Sequence, residues 1–303
     1  MGRRTEMKKS IQLYYKDGRE SFELHCRLAA LAGFRNIAIS FEDIVLKEDE
    51  AEKVSEHISD ILEKNDLLCV ATHLPCYPLY ETSETLCGET EKSIRAALKI
   101  SGQIGSAWCV HHARSAVESA YRTSIALENN YRDISSYLEI ADKYNTGIAV
   151  ENSPLFAPVP FYTANFDDLA ELVDKFNSLR VGVCWDTGHA KTLQYSQRAA
   201  LRYLAGRVVC THIHDNYINH AHKNSEKNDL HLPVLYGRTD WGDIVYGMAE
   251  IGYDGALVSE TMASYTEGKC YPEYLLLSFM KYNLKTLEYL EEIYNNVRKD
   301  IKK

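Results

Sequence analysis

The sequence predicts an α/β fold, a closed (β/α)8 barrel built as a single domain over residues 1–303. Three observations carry that expectation. Short β-rich runs alternate with longer amphipathic stretches from end to end. Eight such pairs can be traced, the number that closes a parallel sheet on itself. No composition shift, Pro/Gly/Ser-rich linker or internal repeat divides the chain, so one unit uses all 303 residues. Eight units favour closure over an open doubly wound sheet, the nearest alternative.

The predicted strands are Ile11–Tyr15, Arg35–Ser40, Leu67–His73, Ala107–His111, Gly147–Glu151, Val181–Asp186, Val208–His212 and Ala256–Glu260. Runs such as SIQLYY and VVCTHI are β-branched, aromatic and apolar, as strands covered on both faces require. Between them lie helical stretches at Arg19–Leu31, Glu48–Glu63, Glu89–Ser101, Asp133–Tyr144, Phe166–Phe176, Gln194–Leu204, Trp241–Ile251 and Pro272–Asn296. DDLAELVDKF repeats its apolar residues at helical spacing, and Gly33, Gly206 and Gly252 punctuate helix ends before the next strand. The last helix carries more apolar residues than one barrel-facing stripe needs. That points to a homo-oligomer contact or, more plainly, to capping of the last strand.

Composition narrows the function classes. With 45% hydrophobic and 25% charged residues the chain can bury a large core, which excludes disorder and small disulfide scaffolds. No run of about 18 apolar residues spans a membrane, and the basic start MGRRTEMKKS leads into no secretory apolar segment. A cytoplasmic protein is expected. The eight cysteines show no CxxC spacing and fit buried thiols in a reducing compartment. A net charge of −9 argues against nucleic acid as a partner and against a surface built to hold it.

Chemistry-bearing residues recur at the carboxyl ends of the predicted strands: His73, His111-His112, Glu151, Asp186, His212 with His214, and Glu260. In a barrel those ends converge on one mouth. A lone histidine there is usually structural. Glu151, Asp186, His212 and Glu260 on four consecutive strands need a compensating charge, because unpaired ionised groups in an apolar rim cost several kcal/mol. A divalent metal (Mn, Mg, Co or Zn) supplies it most simply, and an ion-pair network without metal is the plainer alternative. Strand alternation tests the phase. Stepping back by two from Glu151 gives Ala149 and Gly147, from Asp186 gives Cys184 and Gly182, and from His212 gives Cys210 and Val208. The same rule favours His111 over His112 as the inward residue, with Cys109 and Ala107 as its companions.

At these residues the sequence resembles the xylose isomerase-like TIM barrel superfamily, which holds sugar-phosphate isomerases and epimerases and the endonuclease IV type of DNA repair enzyme. The matching pieces are ATHLP (71–75), AVEN (149–152), CWDTGHA (184–190), THIHDN (211–216), DLH (229–231), GRTDW (237–241) and VSE (258–260), in order along nearly the whole chain. The resemblance implies a metal held by Glu151, Asp186, His212 and Glu260, with His212 ahead of His214 because it opens the HxxD pattern. It implies Glu151 and Glu260 as the catalytic acid/base pair. His73, His111, His189 and His214 become candidate substrate contacts, and Arg238 a candidate contact to a phosphate. Where many relatives carry a Pro-Gly-Glu-Gly turn, this chain reads VLYG and keeps only Gly237.

The expected activity is isomerisation or epimerisation of a sugar or sugar derivative, by proton abstraction beside a metal-bound carbonyl. The competing hydrolase reading, a three-zinc abasic-site DNA nuclease, has candidate ligands in His73, His111, Glu151, Asp186, His189, His212, Asp229, His231 and Glu260. The acidic balance and the absence of an Arg/Lys-aromatic cluster in the mouth loops weigh against it. A keto-inositol dehydratase would begin with the same proton abstraction. A non-catalytic sugar-binding barrel would be marked by loss of a metal carboxylate, and none is lost. No Walker loop, GxSxG, HExxH or GxGxxG is present.

Overall fold

The computed structural model describes residues 6–16, 19–42, 44–76, 84–115, 123–155, 161–193, 195–217, 228–262 and 271–301. Eight parallel strands close into a barrel in sequence order: β1 Lys9–Tyr14, β2 Asn36–Ser40, β3 Leu68–His73, β4 Trp108–His112, β5 Gly147–Glu151, β6 Val181–Asp186, β7 Val208–Ile213 and β8 Leu257–Ser259. Around them run α1 Arg19–Ala32, α2 Ala51–Lys64, α3 Glu84–Gln103, α4 Thr123–Lys143, α5 Phe166–Phe176, α6 Thr187–Leu193, α7 Gln197–Leu204, α8 Trp241–Ile251 and α9 Glu273–Ile301. No helix among the described residues is long and apolar enough to cross a membrane. Six cysteines are free thiols, while Cys87 and Cys270 carry no described side chain.

Local signals set the helix ends. Asp167 and Asp168 sit in the first turn of α5 and Lys175 in its last, complementing the helix dipole, and Asn177 ends it in the left-handed region. Ser196 accepts the Ala199 N–H to start α7, and Asp240 accepts the Asp243 N–H to start α8. The sequence reading ran one helix over Gln194–Leu204. The structure instead has α7 from Gln197, preceded by the short α6 that carries the DTGH residues directly out of β6.

Small inward residues line the barrel axis, namely Ala38, Ala71, Val110, Ala149, Cys184, Cys210 and Val258, one from each of β2–β8. The floor below them is filled by Trp108 and Val209, each lodged where a neighbouring glycine leaves space, Gly147 and Gly182 respectively. A β-carbon at either glycine would overlap the bulky neighbour. The large outward core of isoleucine, leucine and phenylalanine packs between strands and helices. α9 lays Leu276, Met280, Leu284, Leu287, Leu290, Tyr294 and Val297 against this core. Its Asn283 also reaches Ser259 and Thr261 at the end of β8. The apolar surplus in that helix is thus largely spent on the barrel.

Candidate active site

Sheet register decides which side chains reach the mouth. In a parallel pair, residues in register point to the same face. His112 is the register partner of Glu151, Asp186 that of His212, and His212 that of Val258, while His73 pairs with the inward Val110. Glu260 follows β8 by one residue, and its N–H donates to Ile213 O.

The expectation for His111 is overturned by this register. His112 points into the mouth and lies 2.6 Å from Glu151 Oε2. His111 points outward, buried edge-to-face against Tyr137 of α4. The small companions Cys109 and Ala107 misled the phase, because Trp108 fits inside the barrel only through the room that Gly147 leaves. Burial holds the His111 imidazole in its neutral form and lowers its pKa to about 3.

Glu151, Asp186, His212 and Glu260 are all buried, and one donor atom from each lies within 4.8 Å of the others. His212 Nδ1 stands between two carboxylates, 2.7 Å from Glu151 Oε1 and 3.0 Å from Glu260 Oε2. Gln12 of β1 donates to Glu260 Oε1 at 2.7 Å, which fixes that carboxylate and leaves Oε2 facing inward. His212 Nε2 is buried with no hydrogen-bond partner among the described residues, and buried Glu260 Oε2 meets only the His212 and His231 rings there. Three carboxylates, one imidazole and an orphaned polar atom among them form a donor set that fits a divalent cation.

Around this set the histidines are locked in place. His214 Nε2 lies 2.9 Å from Asp186 Oδ2, and its ring stacks on His231 with centroids 4.0 Å apart. The His189 N–H donates to Asp186 Oδ1 at 2.6 Å, and its ring sits 3.3 Å from Asp229 Oδ2 through Nε2. Its Nδ1 donates to Asn152 O. Asn152 also accepts the Asp186 N–H and donates to Asp186 O, so it ties the ends of β5 and β6 together. His231 takes a left-handed backbone (φ 44°), held by the Asp215–Leu232 backbone pair, and directs Nε2 to Asp229 at 3.2 Å. His73 donates Nδ1–H to Leu74 O and places Nε2 3.4 Å from Glu151 Oε2.

Without a cation, charge balance falls to protons. Burial disfavours a charged His212, but Glu260 and Glu151 outweigh it and raise its pKa well above the usual imidazole value. Burial is likewise outweighed at His73, pushed up to about 9 by Glu42 and Glu151, and at His231, pushed up to about 10 by Asp229. The same pairings overcome burial at Glu151, Glu260 and Asp229 and hold all three carboxyls below their usual range.

Arg238 is not brought into the cluster. Its N–H donates to Asn216 O and the next N–H, of Thr239, to Asp215 Oδ1, so the backbone faces inward and the side chain stands exposed. Asp215 is the anchor of this loop, accepting also from Leu235 N and Trp241 Nε1. The HxxD and DW motifs are thereby joined. Tyr217 and Tyr236, in the stretch after β7, are exposed. Sequence reasoning misses Gln12 and ranks His112 behind His111. A lone glutamine in an otherwise apolar strand was the available signal for Gln12.

A model of the xylose isomerase-like TIM barrel family matches residues 26–275. The chain belongs to that family. Among curated proteins it is 29% identical to MJ1311 of Methanocaldococcus jannaschii over 195 residues, covering 63% of this chain and 64% of the relative. It is 35% identical to y4fM of Sinorhizobium fredii over 92 residues, 30% of this chain and 27% of that protein. The matches thus span less than two thirds of these relatives' length. Among solved structures, a D-tagatose 3-epimerase-like protein superposes with a TM-score of 0.72 at 21% identity, covering 96% of this chain and 99% of the other. The IOLI protein with a binding zinc atom gives 0.73 at 15% identity, covering 95% and 99%. At these identities the likeness establishes the shared barrel.

Proposed function

We propose that the chain is a divalent-metal-dependent isomerase or epimerase acting on a sugar or sugar derivative. One observation carries this reading: two buried carboxylates, Glu151 and Glu260, converge on one atom, His212 Nδ1, with Asp186 beside them, all within the span of one ion. A divalent cation held by these four residues would polarise a bound carbonyl and acidify the neighbouring C–H. The two glutamates do the proton work. Both are kept ionised by the surrounding imidazoles, so each is ready to accept a proton. Glu151, on one side of the site, removes the proton beside the carbonyl, and Glu260, after taking up a proton from solvent, delivers it to the enediolate from the other side. Gln12 orients Glu260, and His112 orients Glu151. His189 and His214 hydrogen-bond the substrate hydroxyls or steady Asp186. The likeness to a D-tagatose 3-epimerase-like protein supports the choice of substrate class.

Deuterium incorporation from D2O into a panel of ketoses, beside the carbonyl, tests this reading. Exchange by the metal-loaded enzyme that Glu260→Gln abolishes is expected. Exchange unchanged in that variant would remove Glu260 from the acid/base role.

The hydrolase reading is kept for one specific reason. With His112 in the place expected of His111, the nine candidate ligands stand together around the mouth, with His189, His214, Asp229 and His231 forming a second cluster beside the first. Three zinc ions per chain together with cleavage of abasic DNA would select it.

A further inference from the structure

We propose a separate cation site at the rim of the barrel, formed by Glu42, His73, Cys76 and His112 and selective for a thiophilic divalent ion such as Zn(II) or Co(II). It shares no residue with the Glu151, Asp186, His212 and Glu260 set, and Glu42 and Cys76 play no part in either reading above. Glu42 lies two residues past β2, Cys76 three past β3, and the two histidines end β3 and β4. Three neighbouring strands therefore deliver the group to one place. One donor atom from each residue lies within 4.8 Å of the other three. Donors bound to tetrahedral zinc at about 2.0–2.3 Å stand roughly 3.3–3.8 Å apart, so small side-chain rotations bring these four onto one ion.

The contacts show an oriented group. Glu42 Oε2 accepts from Ser40 Oγ at 3.0 Å, and Ser40 Oγ in turn accepts the Glu42 N–H at 3.3 Å. With one oxygen fixed, Glu42 Oε1 faces Cys76 Sγ at 3.4 Å and His73 Nδ1 at 3.7 Å, and an ion taking that nitrogen would displace the proton it now gives to Leu74 O. Outer partners of this kind hold metal-binding carboxylates in position. A sulfur, two imidazoles and one carboxylate suit Zn(II) or Co(II) and disfavour Mg(II) or Ca(II), which prefer all-oxygen shells. The plainer account of the same atoms is a thiol hydrogen-bonded to a carboxylate. An ion bound here would adjoin the central site through Glu151 Oε2, which lies near both His73 and His112. It would give an anionic or hydroxyl-rich substrate a second point of attachment on the β3–β4 side of the mouth.

Co(II) titration of the metal-free full-length chain separates the two accounts, because a cobalt–thiolate bond gives a near-ultraviolet charge-transfer band and a thiol hydrogen bond does not. The band is expected in the wild type, lost in Cys76→Ser and kept in Glu260→Gln, which disturbs only the central set. Glu42→Gln should weaken the affinity read from the band by at least the roughly 10–100-fold that loss of an outer partner costs. Absence of the band in the wild type overturns the proposal. So does a band that survives Cys76→Ser, which would place the thiolate at Cys184 beneath the central site. Neither result bears on deuterium exchange, so this proposal and the reading of the central site fail independently.

Discussion

Gly188 offers a test in which two physical effects predict opposite signs. It is the second residue of α6, and its backbone is not in the left-handed region. Helix propensity alone predicts that Gly188→Ala stabilises the protein by about 0.8–1 kcal/mol. The structure predicts the reverse, because a β-carbon there would overlap the imidazole ring of His214, 2.6 Å from its Nε2 and nearer still to Cε1 and Nδ1. His214 is fully buried, stacked on His231 and bonded to Asp186, so it has no free direction to retreat. If the ring stays, overpacking costs about 1–3 kcal/mol. If it moves, the hydrogen bond to a charged carboxylate is lost at about 1.5–3 kcal/mol. Either route, less the propensity gain, leaves a net destabilisation of up to about 2 kcal/mol. Denaturant unfolding of the metal-free protein measures it. Chelator competition should also show zinc affinity lowered roughly 10–100-fold, because Asp186 loses its orienting partner. A Gly188→Ala protein more stable than wild type, with unchanged zinc affinity, would refute this placing of His214.

Further outcomes follow from the same geometry. His112→Ala should lower activity and metal affinity with little effect on folding, while His111→Ala should cost about 2 kcal/mol of stability through the cavity beside Tyr137 and leave metal binding intact; paired unfolding and metal titrations check both. Asp215→Ala should destabilise by about 3 kcal/mol or more, because the Leu235 and Thr239 N–H groups and Trp241 Nε1 lose their acceptor; a change under about 1 kcal/mol would show that Asp215 does not anchor the loop. The metal-free protein should lose stability as pH rises. His73 and His231 have folded pKa values of about 9 and about 10, above the unfolded value near 6.5. Their contribution is therefore complete below about pH 6.5 and lost as pH rises from there through 9 to 10. Added zinc should blunt that fall, and a flat metal-free melting profile between pH 6.5 and 10 would contradict the assignment.

The barrel was legible because eight short apolar runs alternate with helical stretches, and the last six runs end in a residue that cannot be buried alone. Glu151, Asp186, His212 and Glu260 could be read from four consecutive strand ends, and the structure gathers them within 4.8 Å. Phase failed at β4 and at the start of β7, where a register shift turns Val209 inward and leaves Val208 in the outer core. At β4 Trp108 points inward because Gly147, its register partner on the next strand, leaves it space, a pairing that no single-strand rule contains. Arg238 failed for a similar reason: its direction is set by Asp215 and Asn216, more than twenty residues earlier, through backbone hydrogen bonds. Glu42 and Cys76 lie past strand ends in unremarkable loops, and only closure of the sheet brings them beside His73 and His112. Strand alternation is local, whereas the packing of the barrel floor and the loop anchors is not.

The central claim is that Glu151, Asp186, His212 and Glu260 together hold one divalent ion. Anomalous diffraction at the metal absorption edge, from crystals of the zinc- or manganese-loaded protein, tests it most directly. The account predicts a strong peak about 2.0–2.2 Å from one atom of each of the four residues. Crystals saturated with either metal that show no peak among these four residues would contradict it.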